Sequence, residues 1–310
     1  MKLISVVTPC YNEEENVEEL CRRVKQVFAG LEDYDYEHIF IDNASTDRTL
    51  EILKHLAAED RHIKIIVNTR NFGHIRSPYH AYLQAHGDAV IAMAGDLQDP
   101  PEMIVDLLQR WEAGYKIVVA VKAETYEAWP TRWARRTYYR LVSRLSEVEL
   151  VQHFTGFGLY DWVVIQKLRE IDDPYPYFRG LICDLGYERA EITYSQPRRA
   201  RGLTKNNFYT LWDMAMLGIT NHSKVPLRLA IFTGFIVAGL SLLVALGYLL
   251  YKILNWDSFQ VGMAPLVIGI YFLGAVQLIF IGILGEYIGS IHTQVLKRPL
   301  VIEKERINFD

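Results

Sequence analysis

The sequence lacks several patterns that define common classes of protein. No GxGxxG or GxxxxGK[ST] motif follows the first predicted strand, which argues against dinucleotide-dependent oxidoreductases and P-loop NTPases. The three cysteines, Cys10, Cys21 and Cys183, show no metal-binding spacing, so we interpret them as reduced, buried thiols of a cytosolic compartment. With 33 basic and 37 acidic residues there is no excess of positive charge, and no nucleic-acid partner is expected.

Charge is missing altogether from two long stretches near the carboxyl end. Residues 229–251 and 261–285 contain no Asp, Glu, Lys or Arg. At about 1.5 Å per residue, each stretch as a helix would exceed the hydrocarbon core of a bilayer, about 30 Å. A pair of buried core helices is the alternative, but uncharged runs of this length are rare in soluble domains. We therefore favour a transmembrane hairpin.

Basic residues flank the predicted hairpin on one side only. They are Lys224, Arg228, Lys297, Arg298, Lys304 and Arg306. The connecting tip carries Lys252 at its edge, close to Asp257. The positive-inside rule then places both termini in the cytoplasm. Glycines such as Gly239 and Gly274 would permit close packing of the helices, within one chain or between protomers, and we expect a homo-oligomer.

The first 122 residues alternate between short apolar segments and amphipathic helical segments. The predicted strands are residues 3–8, 37–42, 63–68, 89–94 and 116–121. One helix is predicted to begin after Asn12, with residues 13–15 in its first turn, and a second runs through Leu50, Leu53 and Leu56. Alternation of strand and helix predicts an α/β, doubly wound parallel sheet.

Polar residues follow three of these strands, at the edge where such sheets bind their ligands. They are the segment PCYNE at 9–13, Asp42 with Asn43, and Gly95 with Asp96. In MAGDLQDPPE, residues 93–102, Asp99 stands before two prolines and a glutamate, which predicts a helix N-cap.

Asp96 has no such local role, and Gln98 follows two positions later. Oxygen ligands of this kind suit Mg²⁺, which takes one or two protein oxygens and completes its shell with water and substrate phosphates. The alternative for Asp96 is a solvated turn residue.

Six segments together resemble a known family. They are TPCYNEEENV, IDNASTDRT, RNFG, GDLQDPPE, RGLTK and GILGEYIG followed by KRPL. As a set they resemble the family-2 glycosyltransferases that charge a polyprenyl phosphate, namely the dolichyl-phosphate mannose synthases and the bactoprenol glucosyltransferases. The resemblance covers essentially the whole chain. It implies an α/β fold with a GT-A, Rossmann-like nucleotide-sugar domain followed by a two-helix transmembrane hairpin.

The resemblance also implies an activity and its partners. The reaction would be an inverting, metal-dependent transfer of a sugar to a polyprenyl (undecaprenyl or dolichyl) phosphate at the cytoplasmic face of the membrane. The membrane would be the plasma membrane if the protein is bacterial. The cofactor would be Mg²⁺ or Mn²⁺, and the bactoprenol relatives favour a UDP-sugar as the donor.

Site residues follow from the matching motifs. The substrate-binding candidates are Pro9, Tyr11, Glu13, Asp42, Asn43, Arg70 and Lys122. Asp96 and Gln98 would hold the metal. Arg199 and Lys205 would meet the diphosphate or the acceptor phosphate. Asp161 is a candidate catalytic base, although it could instead cap the helix that follows it.

The sequence departs from the family pattern at four places. The usual Asp-Ala-Asp triplet reads Ala94-Gly95-Asp96, and Asn43 replaces a second acid. The lysine expected after RNFG is His74, and the acid expected before Asp161 falls on Gly156. A lipid phosphate, with a second pKa of about 6, is already mostly a dianion near neutrality. We therefore predict direct displacement without an obligatory carboxylate base.

We divide the chain into a cytoplasmic glycosyltransferase domain at 1–204, an amphipathic interfacial helix at 205–224, two transmembrane helices within 225–290 and a cytoplasmic tail at 291–310. Two other functions stay open. The first is a component of a processive polysaccharide synthase, although no glutamine precedes Arg132-Trp133 at the spacing of a QxxRW motif. The second is a membrane-anchored relic that has lost transfer.

Overall fold

A computed structural model describes residues 1–123, 151, 153–197, 225–254 and 263–309. Over these residues the strands are β1 (Lys2–Cys10), β2 (Tyr34–Asp42), β3 (Ile63–Asn68), β4 (Ala89–Ala92), β5 (Ile117–Lys122), β6 (Phe154–Asp161), β7 (Arg189–Tyr194) and β8 (Glu303–Ile307). The α-helices are α1 (Val17–Phe28), α2 (Thr49–Glu59), α3 (Gly73–Gln84), α4 (Ile104–Glu112), α5 (Trp162–Ile171), α6 (Phe178–Asp184), α7 (Val225–Leu254) and α8 (Met263–Leu296). A single 3₁₀ turn, Pro101–Met103, precedes α4.

The eight described strands form one sheet in the order β7-β5-β6-β4-β1-β2-β3-β8. Strands β1 to β4 are parallel, and β5 and β7 run in the same direction. Strands β6 and β8 run antiparallel to their neighbours. The predicted α/β sheet is therefore confirmed as a Rossmann-like sheet, but it is mixed rather than wholly parallel.

Helices cover both faces of the sheet because successive strand residues point to opposite sides. In β1, Ile4 and Val6 join a buried cluster with α1, α2 and α4, whereas Val7 joins a second cluster with α3, α5 and α6. Strands buried on both faces explain the continuous apolar runs in the sequence.

The predicted start of the first helix was wrong. Residues 14–16 form a turn, in which the Asn16 N–H donates to the Glu13 oxygen at 2.9 Å, and α1 begins only at Val17. Residues 13–15 therefore belong to the loop after β1, and Glu18 and Glu19 occupy the first helical turn.

The carboxyl-terminal segment is part of the sheet, which the sequence analysis did not predict. Strand β8 pairs antiparallel with β3 over Ile65–Ile307 to Asn68–Glu303. Just before it, the oxygen of Ile302 accepts the Thr69 N–H at 2.9 Å. The predicted tail at 291–310 thus includes an edge strand of the first domain.

The carboxyl-terminal apolar region forms the two long helices α7 and α8 over the described residues. Within α8, Phe272–Leu296 is long and apolar enough to cross a bilayer, with a mean hydropathy of 1.7 in its most apolar window. A shorter apolar stretch, Val225–Ser241, lies in α7. The stretch in α8 extends past the predicted end at 285. The predicted interfacial helix at 205–224 lies outside the described residues.

Candidate active site

Three loops meet at the carboxyl edge of the sheet, after β1, β2 and β4. Each contains a non-glycine residue in the left-handed backbone region: Asn12 at φ 56°, Ala44 at φ 60° and Leu97 at φ 60°. For Ala and Leu this conformation costs about 1–2 kcal/mol relative to the right-handed one. Backbone strain of this kind collects at functional sites, where the surrounding contacts maintain it.

The loops after β1 and β2 are joined by hydrogen bonds. The Asn12 N–H donates to Oγ of Ser45 at 3.0 Å, and the Thr46 N–H donates to Oδ1 of Asn12 at 2.7 Å. The Glu13 N–H donates to Oγ1 of Thr49 at 2.8 Å. The segment PCYNE is therefore fixed beside the end of β2.

Asp42 ends β2 and is fully buried. Burial raises the pKa of its carboxyl, against the opposing effect of hydrogen bonds from Ser45. The Ser45 N–H approaches Oδ2 at 3.2 Å and Oδ1 at 3.4 Å. Asp42 thus lies below the loop surface. The oxygen more able to accept a further hydrogen bond from a ligand is Oδ1, which is the farther of the two from the Ser45 N–H.

The structure gives Asn43 a different role from the predicted one. Its Nδ2 donates to Oδ1 of Asn71 at 3.0 Å and to the oxygen of Gly73 at 3.2 Å. Its Oδ1 accepts from Nδ2 of Asn68 at 3.1 Å and from the Phe72 N–H at 2.9 Å. Both amide hydrogens and both lone pairs are used, so Asn43 fixes the RNFG loop to the sheet and its side chain is not available to a substrate.

The loop after β4 gives different surroundings to the two aspartates of the segment MAGDLQDPPE. Oδ1 of Asp96 accepts the Gln98 N–H at 3.1 Å, and 9% of Asp96 is exposed. Asp99 is more deeply buried, and accepts from the Ala94 N–H at 3.0 Å and from the Tyr194 hydroxyl at 2.9 Å. Burial, opposed by these hydrogen bonds, raises the pKa of Asp99.

Asp99 is structural, as predicted, but it is not a helix cap. The residue before the 3₁₀ turn is Pro100, and no side chain caps that turn. Asp99 instead connects the metal-candidate loop to β7 through Tyr194. Tyr194 was not among the predicted site residues, because nothing in its local sequence marks it as the partner of a residue 95 positions away.

Gly95 allows the loop after β4 to lie against β1. A Cβ at this position would lie 3.2 Å from the Pro9 oxygen and 3.4 Å from Sγ of Cys10. The alanine that the family pattern places here would press on the backbone of β1. The replacement at position 95 is therefore tied to a close approach of two site loops.

The remaining described candidates lie on the same edge. Pro9, Tyr11 and Glu13 belong to the end of β1 and its loop, and Glu13 accepts from Nδ2 of Asn16 at 2.7 Å. Lys122 ends β5 and is close enough to Asp99 to lower its pKa. Arg70 is exposed in the loop after β3. Arg199 and Lys205 lie outside the described residues.

The prediction of Asp161 as a candidate catalytic base was wrong. It ends the antiparallel strand β6, opposite Ala89 at the start of β4, and therefore lies at the amino edge of the sheet. Its carboxylate accepts from the Val163 N–H at 3.0 Å, from Trp111 Nε1 at 2.8 Å and from Lys116 Nζ at 2.8 Å. Its alternative role as the cap of the following helix, α5, is confirmed.

Gly156, by contrast, lies at the carboxyl edge of the sheet, with Asp42 and Asp96. It stands two residues before Gly158, which pairs with the last residue of β4. Its φ of +107° is a conformation that residues with a side chain rarely adopt. The backbone here suits glycine, and the family's acid could not replace it without strain.

The donor set fits a hard divalent cation only as a site shared with substrate. Over the described residues, no group of three or more His, Cys, Asp or Glu side chains could hold a metal. Asp96 offers one carboxylate at the edge, with the amide of Gln98 nearby in the chain. Mg²⁺ is commonly held by one or two carboxylates together with waters and substrate phosphates, and Mn²⁺ prefers the same oxygen ligands.

A sequence model of Glycosyl transferase family 2 matches residues 5–165, which run from β1 into α5. The chain belongs to glycosyl transferase family 2. It is thus a glycosyltransferase, as the motifs predicted.

Two relatives show how far this family resemblance extends. An uncharacterized glycosyltransferase of Synechocystis is 34% identical over 300 residues, 96% of this chain and 94% of that protein. A prophage-derived bactoprenol glucosyl transferase of Shigella flexneri is 33% identical over 305 residues, 97% of each chain. Among solved structures, a mannosyltransferase of Pyrobaculum calidifontis in complex with GDP-Man and Mn²⁺ aligns over 95% of this chain and 87% of that one. Its TM-score is 0.45 and its identity is 15%.

Proposed function

We propose that this glycosyltransferase transfers a sugar from a nucleotide sugar to a polyprenyl phosphate at the cytoplasmic membrane face, with inversion and with a divalent metal. The observation that carries this proposal is the position of Asp96. It lies on the same sheet edge as Asp42. The strands of this sheet both precede and follow the long apolar helices in the chain.

Similarity to the bactoprenol glucosyl transferases supports the lipid acceptor. The alignment with the Shigella flexneri protein spans 97% of both chains, so it includes the apolar helices as well as the family-2 domain. An alignment limited to the family-2 domain would have ended near residue 165. The name of that relative points to a bactoprenol acceptor, and we extend that chemistry to this chain.

The sheet supports an even number of membrane crossings. Strands β1 to β7 precede the apolar helices and β8 follows them, yet all belong to one sheet. Both ends of the apolar region must therefore lie on one side of a membrane. If α8 crosses, a second crossing is required, and α7 is the other long apolar helix among the described residues. An even number of crossings favours the two-helix hairpin with both termini on one side, and the basic flanks assign that side to the cytoplasm.

Donor binding is assigned to the loops after β1, β2 and β4. Pro9, Tyr11 and Glu13 line the nucleoside pocket, and Asp42 accepts a hydrogen bond from the base or ribose. Asp96 and Gln98 would hold the metal, with the remaining ligands supplied by water and the donor diphosphate. When bound, the metal would offset the charge that develops on the leaving diphosphate.

The acceptor phosphate supplies its own nucleophile. It is already largely ionised near neutrality, so its attack requires no residue to remove a proton. The two positions considered for a carboxylate base are in keeping with this. Asp161 lies at the opposite edge of the sheet, and position 156 is a glycine. Arg199 and Lys205 are assigned to reduce the repulsion between the two phosphate groups and to orient the attack.

The experiment incubates membranes containing the chain with a panel of labelled nucleotide sugars, polyprenyl phosphate and Mg²⁺ or Mn²⁺. We expect one labelled lipid from the wild type, and at least a 100-fold lower rate from Asp96→Asn. Asp106→Asn, an exposed aspartate of α4, is the matched control and should retain the wild-type rate. Labelled polymer would indicate a processive synthase, whereas nucleotide binding without product would indicate a relic.

A further inference from the structure

Three arginines gather where the end of α8 meets the loop after β3. The Cζ atoms of Arg70 and Arg76 lie 4.0 Å and 5.5 Å from the centre of the Phe72 ring. The third member, Arg298, is exposed and directly precedes Pro299, whose oxygen accepts a hydrogen bond from Arg76. Burial, and after it the charges of Arg70 and Arg298, lower the pKa of Arg76. We refer to Arg70, Arg76 and Arg298 as the arginine cluster.

The arginine cluster has no anionic partner over the residues that the structure describes. Arg70 donates to the oxygen of Asn71 at 3.0 Å, and Arg76 donates through Nη2 to the oxygen of Pro299. Nε of Arg76 is buried and has no hydrogen-bond acceptor. A buried donor without an acceptor is destabilising, and a bound ligand that accepts from Nε would relieve this.

The cluster is positioned by fixed backbone. Phe72 is buried, and its N–H donates to Asn43 at 2.9 Å, so the ring that orients two of the arginines is fixed to the sheet. Gly73, which begins α3, is fixed by the same side chain. Asn43, which replaces an acid of the family pattern, therefore places the cluster without adding a negative charge to it.

The cluster also lies at the level where α8 ends. Pro299 lies three positions after Leu296, the last residue of α8, so the two are at most about 11 Å apart. If the stretch Phe272–Leu296 is the part of α8 that crosses the membrane, Arg298 lies two residues beyond it, near the lipid headgroups, together with Arg76, which contacts Pro299. The loop that carries Arg70 follows the carboxyl end of β3, the same edge as Asp42 and Asp96.

We propose that the arginine cluster binds the phosphate group of a membrane lipid at the entrance to the active edge. The assignment rests on the membrane location in the proposed function. A phosphate offers several strong acceptor oxygens, and guanidinium groups bind phosphate with paired hydrogen bonds. The lipid phosphate would accept from Nε of Arg76 and be held by the charges of the two exposed arginines.

The test measures the affinity of the purified full chain for phosphate compounds from thermal-shift titrations in an uncharged detergent, without nucleotide sugar. The probes are a short-chain polyprenyl phosphate, a short-chain phosphatidylglycerol and inorganic phosphate. We expect Arg76→Gln and Arg298→Gln each to weaken the binding of at least one lipid tenfold or more. Arg61→Gln, an exposed arginine of the turn before β3, is the control and should bind as the wild type does.

The two lipids distinguish the source of the phosphate. A loss confined to polyprenyl phosphate identifies the acceptor, and a loss confined to phosphatidylglycerol identifies a bulk headgroup. Unchanged affinity for both lipids in Arg298→Gln, whose side chain is exposed, would overturn the proposal even if Arg76→Gln does not fold. An effect on inorganic phosphate alone would overturn it too. Because no donor is present, a chain that transfers no sugar would still give a result.

Discussion

At the scale of single residues, Asp96 and Asp99 show why two aspartates three positions apart have different roles. Asp96 accepts the Gln98 N–H within its own loop and retains some exposure, whereas both oxygens of Asp99 accept from protein donors. Their proximity contributes to the raised pKa of Asp99, after burial. Because the carboxyl of Asp99 is engaged in holding β7, we assign the cation to Asp96.

The two asparagine variants should therefore separate stability from activity. Asp99→Asn places an amide N–H against either the Ala94 N–H or the Tyr194 hydroxyl, which should cost about 1–3 kcal/mol of unfolding free energy. Asp96→Asn should abolish metal-dependent transfer and leave the thermal midpoint near that of the wild type. Unfolding and rate measurements on both variants check this. A fully active Asp96→Asn would remove the metal assignment.

Asp161 gives a second prediction, on pH. Although burial opposes it, hydrogen bonds from Lys116 and Trp111 lower the pKa of Asp161. A lowered pKa adds stability above the unfolded value, about 3.9, and this stability is lost as the pH falls through the folded value. Asp161→Asn should lower the free energy of unfolding at pH 7. The difference in this free energy between the variant and the wild type should become smaller near pH 3.

Activity provides the control for that variant. The folded Asp161→Asn protein should transfer sugar at the wild-type rate at neutral pH, because residue 161 lies at the other edge of the sheet. A large fall in the rate of transfer, with an unchanged thermal midpoint, would restore Asp161 as a base and contradict the geometry.

At the scale of elements, the carboxyl-terminal strand β8 links the end of α8 to the catalytic domain. Beyond its pairing with β3, Nδ2 of Asn308 donates to the oxygens of Ala57 and Ile63 at 2.8 Å and 2.9 Å. The ion pair between Lys54 and Glu305 is exposed and contributes little. The strand is held by backbone hydrogen bonds and by side-chain contacts, such as those of Glu303 with His80 and of Ile307 with the core.

Deletion of residues 303–310 should lower the thermal midpoint of the full chain, because it removes this ladder and exposes the edge of β3. Lys304→Ala, which changes an exposed side chain and leaves the ladder, is the matched control. We expect the control to unfold within about 0.5 kcal/mol of the wild type. Equal midpoints for the deletion and the wild type would show that β8 is not needed for the fold.

The elements also show what local sequence pattern can predict. The first five strands were recognised because burial on both faces makes each a short apolar run. Strand β8, with the sequence EKERI, is an edge strand whose order comes from pairing with β3, about 240 residues earlier, so no local pattern marks it. Asp161 was misplaced for a related reason: a motif gives the residue, but only the antiparallel direction of β6 gives the edge.

The site was predictable to the extent that it depends on strand ends. Asp42 and Asp96 meet at one edge because parallel strands bring their carboxyl ends together, which the alternation of strand and helix already implied. The role of Asn43 was not predictable, because its four hydrogen bonds join it to Asn68 at the end of β3 and to residues 71–73 beyond it, at least 25 residues further along the chain. Distant side-chain partners decide whether a strand-end residue faces a ligand or the protein.

At the scale of the whole molecule, a single sheet contains strands that precede the apolar helices in the chain and one that follows them. This restricts the membrane topology to an even number of crossings. A protease-sensitive tag after Asp310 should be accessible on the same side of sealed membrane vesicles as a tag before Met1. The account predicts cleavage of both tags in inside-out vesicles and of neither in right-side-out vesicles. Opposite accessibility of the two tags would contradict the even number of crossings.

The central claim is that this glycosyltransferase uses a lipid phosphate as its nucleophile, without a carboxylate base. The most direct test compares polyprenyl phosphate with polyprenol of the same chain length as acceptors for the purified full chain. Both reactions contain the nucleotide sugar found active in the membrane panel, with the metal. The account predicts a labelled lipid with polyprenyl phosphate and no product above background with polyprenol. Transfer to the free alcohol at a comparable rate would contradict it.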